Sequence, residues 1–303
     1  MTSTVLVTGA TGFVGRYVLE AIQAGRFGGF DRALALPAGM DLRDADALSA
    51  WVADQRPDAV IHLAAQSFVP RAIADPRETY EINVIGTLNL IQALDAVGFT
   101  GRLLLVSSGD VYGRVPESEL PVNAATIPHP GNPYASSKLA AEELCLQWAR
   151  RTGAQVIIAR PFNHVGPGQS DQFVVSSLAH QVVAIKEGLQ PAVIEVGDIE
   201  ATRDFSDVRD VVAAYAALLL SGRAQTRYIV ASGVERSVAQ VLERMLTLAQ
   251  VDAEVRVDPA RLRRSEQRRM VGDPSATTQD TGWRPQVDFD QTLTDILQSV
   301  RSQ

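Results

Sequence analysis

Short apolar runs rich in branched side chains alternate along this chain with longer stretches of helical spacing. TVLVT at 4–8 precedes RYVLEAIQAG, DAVIHLA and RLLLVSS follow at intervals, and TGAQVIIARP comes after a long helical segment. That alternation predicts a parallel α/β sheet. LLLV and VIIA are apolar without a break, the pattern of strands covered on both faces. The second strand reads as ALALP at 33–37. Beyond about residue 165 the pattern is less regular, although a helix from near Asp207 and a strand at Tyr228 to Ala231 continue the first layer. The expected architecture is a doubly wound parallel sheet from 1–164 plus about 203–232, with a smaller, discontinuous lobe from about 165–202 and 233–303.

The first strand ends in Thr8-Gly9-Ala10-Thr11-Gly12-Phe13-Val14-Gly15 and runs straight into a helix. Glycines three apart suit a dinucleotide. Gly9 permits a tight turn, Gly12 lets backbone N–H groups approach a pyrophosphate, and Gly15 lets helix and strand pack closely. The helix N-terminus adds positive potential. Its place between first strand and helix separates this turn from a plain βα connection, and the expected fold becomes Rossmann-type. No acid follows the second strand to hold ribose hydroxyls, and no arginine there selects a 2′-phosphate. NADPH and NADH both stay open, with a slight lean to NADPH.

Bulk composition narrows the partners. The net charge of −7 argues against gripping nucleic-acid backbones. RLRRSEQRRM at 261–270 is a local exception, either a solvated face or a grip on a phosphorylated small molecule. The single cysteine, Cys145, fits a reducing compartment and reads as core filler. His62, His129, His164 and His180 lack metal-ligand spacing, so no metal is expected. MTSTVLVTGATG lacks the layout of a signal peptide, and AAYAALLL at 213–220 is too short to span a bilayer. A cytoplasmic protein without a membrane partner is the expectation.

Tyr134-Ala135-Ser136-Ser137-Lys138 opens a helix and puts tyrosine and lysine on one face. A neighbouring ammonium favours the phenolate and is expected to lower the tyrosine pKa, making the phenol a usable acid toward a ketone. A tyrosine and lysine one turn apart are also an ordinary surface pair. Ser108, at the end of RLLLVSS, turns the pair into a constellation at the edge where open α/β sheets bind ligands.

With these residues the sequence resembles the extended short-chain dehydrogenase/reductase family over essentially its whole length. TGATGFVG, Asp41-Leu42, HLAAQS at 62–67, NVIGT at 83–87, SSGDVYG at 107–113, YASSK, RPFNHVGPGQ at 160–169 and RDFSDVRDV at 203–211 carry the likeness. The resemblance implies that Ser108 and Tyr134 hold the reacting oxygen, that Lys138 grips the nicotinamide ribose, and that Asn83 supports the proton path. It places Gly9, Thr11, Gly12, Phe13, Val14 and Gly15 at the cofactor phosphates and Asp41 and Leu42 by the adenine. Leu63, Ala64 and Ala65 lie along the cofactor, and Phe162 meets the nicotinamide. Family members pair helices such as 76–97 and 134–151 across a two-fold axis, which implies a homodimer; Leu139, Leu146 and Trp148 suit either that contact or the core.

The later motifs resemble enzymes acting on nucleotide-activated sugars. Asn163 would contact the sugar diphosphate, Arg203 the phosphates, and Arg263 with Glu266 the phosphate and nucleotide ribose. Arg203 beside Asp204 also reads as a surface ion pair. ARPFNHVGPGQ, EVGDIEATRDFSDVRDVVAAY and DPARLRRSEQRRM resemble the bacterial group that reduces a GDP-linked 4-keto-6-deoxy sugar, itself close to the 4,6-dehydratases. Dehydration requires an acid and a base beyond the tyrosine. In the family these follow the residue matching Ser108, and the second is a glutamate. Here the positions are Gly109 and Asp110. Asp110 reaches about 1.5 Å less far than glutamate by C–C bond geometry, and misplacement of that order costs about 10²-fold. Reduction is therefore expected, with Asp110 either touching a substrate hydroxyl or capping backbone N–H groups. A 4,6-dehydratase, another nucleotide-sugar 4-epimerase or reductase, and a non-catalytic dinucleotide sensor remain the alternatives.

Overall fold

The computed structural model describes residues 3–259 and 267–301. Eleven strands run through the described residues: β1 (Thr4–Thr8), β2 (Arg32–Ala35), β3 (Ala59–His62), β4 (Arg102–Val106), β5 (Gln155–Pro161), β6 (Asn163–Val165), β7 (Val193–Val196), β8 (Thr202–Asp207), β9 (Thr226–Val230), β10 (Glu235–Ser237) and β11 (Glu254–Val257). The α-helices are α1 (Phe13–Gln23), α2 (Ala45–Gln55), α3 (Val69–Ala74), α4 (Pro76–Tyr80), α5 (Gly86–Ala96), α6 (Pro133–Thr152), α7 (Val174–Lys186), α8 (Val208–Ser221), α9 (Val238–Ala249), α10 (Ser275–Thr281) and α11 (Phe289–Arg301).

A parallel sheet in the order β2-β1-β3-β4-β5-β9 forms the larger layer. Successive residues point to opposite faces of a strand, and both faces here are apolar. Val5, Val7, Ile61, Leu104, Val106, Ile157 and Ala159 pack toward α1 and α8. Leu6, Val60, Leu103, Leu105, Val156 and Ile158 pack on the other side, with Leu48, Leu90, Leu94 and Cys145. This is the Rossmann-type doubly wound arrangement that unbroken apolar runs imply. The chain leaves β1 toward β2 and then crosses to β3 on the other side, opening a crevice at the carboxyl ends of β1 and β3.

Smaller sheets, β10-β8-β6 and the parallel pair β11-β7, lie with α7, α9 and α11 around a separate core of Val175, Leu178, Val182, Ile194, Phe205, Leu242, Met245, Leu293 and Ile296. Residues 202–207 pair with β6 and β10, whereas α8 and β9 return to the larger layer. Leu146 and Trp148 are buried in the larger layer, and Trp148 Nε1 donates to Asp95 Oδ1 at 3.0 Å. Leu139 packs against a separate apolar cluster that includes Val111, Tyr112 and Phe162. Of the two uses open to Leu139, Leu146 and Trp148, the structure shows core packing for Leu146 and Trp148, while Leu139 is half-buried.

Candidate active site

The turn after β1 is shaped by what its glycines leave out. Gly9 has φ +71° and donates no side chain; a Cβ there would sit 2.8 Å from the backbone nitrogen of Ala64. A Cβ on Gly15 would lie 2.2 Å from the Gly9 carbonyl oxygen. Turn and helix α1 therefore interlock, with Gly12 at the N-cap, Thr11 and Gly12 exposed, and Phe13 and Val14 half-buried. The first-turn N–H groups of α1 face the crevice edge, the arrangement that binds a pyrophosphate. Leu63, Ala64 and Ala65 follow β3 beside this turn. Leu42 is buried near Gly86, and its carbonyl accepts from Asn89 Nδ2 at 2.8 Å. Asp41 is exposed and binds Arg43 through both carboxylate oxygens, which holds its carboxyl below the ordinary range. The glycine cradle thus fits a dinucleotide.

Helix α6 carries the second half of the site. Asn132 caps it, accepting from Ala135 N at 2.9 Å, Pro133 occupies its first turn, and Gly153 closes it with φ +79°. Tyr134 and Lys138 are both buried. The expected lowering of the tyrosine pKa is corrected by the structure: burial and then the Asp110 carboxylate push the phenol up, and only the Ser108 hydroxyl bonded to it pulls down. Lys138 itself is held down to about 8 by burial, against the pull of Glu142. Sharing a helix face was not enough, because desolvation by burial dominates the phenol and Lys138 is not among the groups that lower it. A phenol with a raised pKa keeps its proton until a substrate oxygen demands it.

Ser108 caps the 3₁₀ turn Gly109–Tyr112, its Oγ accepting from Asp110 N at 3.1 Å. Asp110 is therefore not the cap of its own turn. Its side chain meets solvent on one side of the cleft, while the protein on the other side raises its carboxyl through burial, opposed by the Arg203 charge. Gly109 has a structural reason: a Cβ there would lie 3.0 Å from the Phe162 ring. Phe162 is buried, its N–H donating to Val230 O at 2.9 Å. Asn163 is exposed at the start of β6. Arg203 is half-buried, donating to Thr202 O at 2.7 Å, and burial lowers its pKa. The ion pair read from its neighbour does not form, because the buried Asp204 carboxylate is taken by Ser232, Gly233 and Gly272. Arg263 and Glu266 lie outside the described residues.

The places of two groups in the site went unread in the sequence. Glu142 and Arg160, 0% and 1% exposed, form a buried pair at 2.6 Å. Glu142 also takes Ser107 Oγ at 2.5 Å and Arg227 Nε at 3.1 Å, and Arg160 donates to the Tyr112 hydroxyl at 3.0 Å. The signals were there: an acid four residues after Lys138 on the same face, and an arginine inside an otherwise apolar strand. His62 is the second. Near Ala65, a hollow of about 390 Å³ is lined by Gln66, Ser67, Phe68, Arg71, Ile82 and Phe173 among others. A larger one, about 660 Å³, lies against α9 and touches none of the site residues.

Residues 34–296 match the family described as GDP-mannose 4,6 dehydratase. The GDP-6-deoxy-D-mannose reductase of Pseudomonas aeruginosa is 49% identical over 303 residues, covering 100% of this chain and 98% of the relative. The chain belongs to the extended short-chain dehydrogenase/reductase family. A solved structure of RMD from Pseudomonas aeruginosa complexed with NADPH superposes with a TM-score of 0.91 at 48% identity, covering 100% of this chain and 98% of that one. A GDP-mannose 4,6-dehydratase of Vibrio cholerae is 26% identical over 86% of this chain and 77% of its own. The nucleotide-sugar branch of this short-chain family thus includes both the reducing and the dehydrating chemistry.

Proposed function

We propose that this chain reduces the C4 ketone of GDP-4-keto-6-deoxy-D-mannose to GDP-D-rhamnose with NADPH or NADH, NADPH being favoured by the likeness to a reductase bound to it. The reduced nicotinamide supplies the hydride that C4 accepts. Gly9, Thr11, Gly12, Phe13, Val14 and Gly15 would hold its pyrophosphate, Asp41 and Leu42 the adenine, and Leu63, Ala64 and Ala65 the flank. Phe162 would meet the ring and Lys138 the ribose. Ser108 polarises the carbonyl, and the Tyr134 phenol delivers the proton to the C4 oxygen as the carbon is reduced. Asn83 anchors the helix end behind them. Asp110, Asn163 and Arg203, with Arg263 and Glu266, would take the sugar and its nucleotide diphosphate.

The observation that carries reduction over dehydration is the crowding of position 109 by Phe162. Gly109 carries no acid side chain, a Cβ there would already be tight against that ring, and elimination needs an acid beyond the tyrosine. The smaller sheets and α7, α9 and α11 would form the nucleotide-sugar lobe. A cytoplasmic homodimer is part of the same reading, supported by the lone buried cysteine and by Tyr80 and Ile85 exposed on the helical run from α4 to α5. The test supplies the keto sugar with NADPH or NADH and follows loss of reduced-nicotinamide absorbance, then identifies the product. Formation of a keto sugar from GDP-mannose and NADP⁺ would make the chain a dehydratase instead.

A further inference from the structure

His62 is sealed at the end of β3, and its two ring nitrogens each meet a threonine: Nδ1 lies 2.6 Å from Thr8 Oγ1 and Nε2 lies 2.9 Å from Thr87 Oγ1. Burial and the Lys138 charge hold its pKa down to about 3, so the ring is neutral, with one nitrogen donating and the other accepting. Donor counting settles which. Thr8 Oγ1 already accepts from Ala64 N at 3.2 Å and has one proton to give. A proton on Nδ1 would leave that hydroxyl hydrogen without an acceptor. At the other end Thr87 Oγ1 donates to the Asn83 carbonyl at 2.7 Å and so receives from His62 Nε2–H. The bonds therefore run in single order: Ala64 N–H to Thr8, Thr8 to Nδ1, Nε2–H to Thr87, Thr87 to Asn83.

Asn83 sits in a π-helical turn, Glu81–Ile85, between α4 and α5, the kind of irregularity that clusters at functional sites. Every polar group of its side chain is occupied. Oδ1 accepts from Gln66 N at 2.8 Å, and Nδ2 donates to Gln66 O at 3.0 Å and to Ser137 Oγ at 2.9 Å. Ser137 Oγ in turn donates to Tyr134 O at 2.7 Å. We propose that His62 is a positioning residue, a hydrogen-bond relay locked as its Nε2–H tautomer, tying the glycine turn after β1 to Asn83 and, through Ser137, to the first turn of the helix that carries Tyr134. A relay of neutral groups in a sealed interior holds its geometry because each broken link strands a buried polar atom. The consequence for reduction rests on the function proposed above; the tautomer does not.

Two measurements separate these. Long-range ¹H–¹⁵N spectra of protein labelled at its histidine rings, with His62 assigned by His62→Gln, are expected to show a protonated Nε2 and a bare Nδ1 at neutral pH. The opposite tautomer, or a charged ring, overturns the relay whatever the chain catalyses. In kinetics, Thr87→Val removes the link to Asn83. It is expected to lower kcat between about 10- and 100-fold, the scale of a small displacement of a reacting group, while NADPH affinity measured by fluorescence stays within about threefold. Thr87→Ser, which keeps the hydroxyl, is expected to restore kcat, which separates the hydrogen bond from a general packing loss. Wild-type kcat in folded Thr87→Val, or no recovery in folded Thr87→Ser, overturns the positioning role. If the parent chain reduces no GDP-linked keto sugar while the tautomer stands as described, the substrate reading fails and the relay does not.

Discussion

Tyr134 and Lys138 stand on a helix whose sheet side is locked by Glu142 and Arg160, both sealed from water, whereas Asp110, Asn163 and Arg203 keep one side open to the cleft. The first region is held by bonds among its own buried groups. In the second, Asp110 and Asn163 are exposed and Arg203 is half-buried. The difference teaches where rigidity and where affinity come from. A proton donor must be placed to within fractions of an ångström, so its support is dense, dry and internal. A diphosphate site must exchange water for ligand on every turnover, so its cations cannot be fully spent on the protein.

Tyr134→Phe is the sharpest cut into the locked side. It removes the donated proton without altering packing, and a loss of about 10²–10⁴-fold in kcat is expected, with NADPH binding kept. Cofactor fluorescence alongside steady-state rates checks the split. Arg160→Met tests the support beneath: it leaves the buried Glu142 carboxylate with Ser107 and Arg227 alone and is expected to cost up to about 3–5 kcal/mol in urea unfolding. Arg203→Ala on the open side should do the reverse. Stability changes little, while KM for the sugar nucleotide rises about 10- to 100-fold, the worth of a hydrogen bond to a charged group.

Acid titration probes the locked side without mutation. The folded His62 pKa is depressed to about 3, below the roughly 6.5 of an exposed imidazole. Between those values the unfolded chain takes up a proton that the folded chain refuses. Stability from this residue is complete above about pH 6.5 and falls toward pH 3 by up to about 1.4 kcal/mol per unit. Urea midpoints across that window measure the slope, and His62→Gln should flatten it. Asp110→Asn is the smallest change, a few-fold in kcat/KM. Because the Asp110 charge raises the Tyr134 pKa, its removal should bring the alkaline fall of the rate to lower pH, read from a pH–rate profile.

The glycine turn, the Tyr134–Lys138 spacing and the strand ending in Ser108 were legible because each depends on residues within a few positions of one another, where backbone period and steric freedom decide. The parallel sheet was legible for the same reason: unbroken apolar runs state that both faces are covered. Tertiary structure alone decided the direction of the Tyr134 shift, since desolvation and Asp110 reach it from another loop. It decided that Leu146 and Trp148 face the core, and that Asp204 serves Ser232, Gly233 and Gly272 rather than Arg203. It also joined Glu142 to Arg160, and Thr8, His62, Thr87, Asn83 and Ser137 into one chain of bonds. Burial and hydrogen-bond partners are properties of neighbours in space, and a linear pattern reports those only where space and sequence coincide.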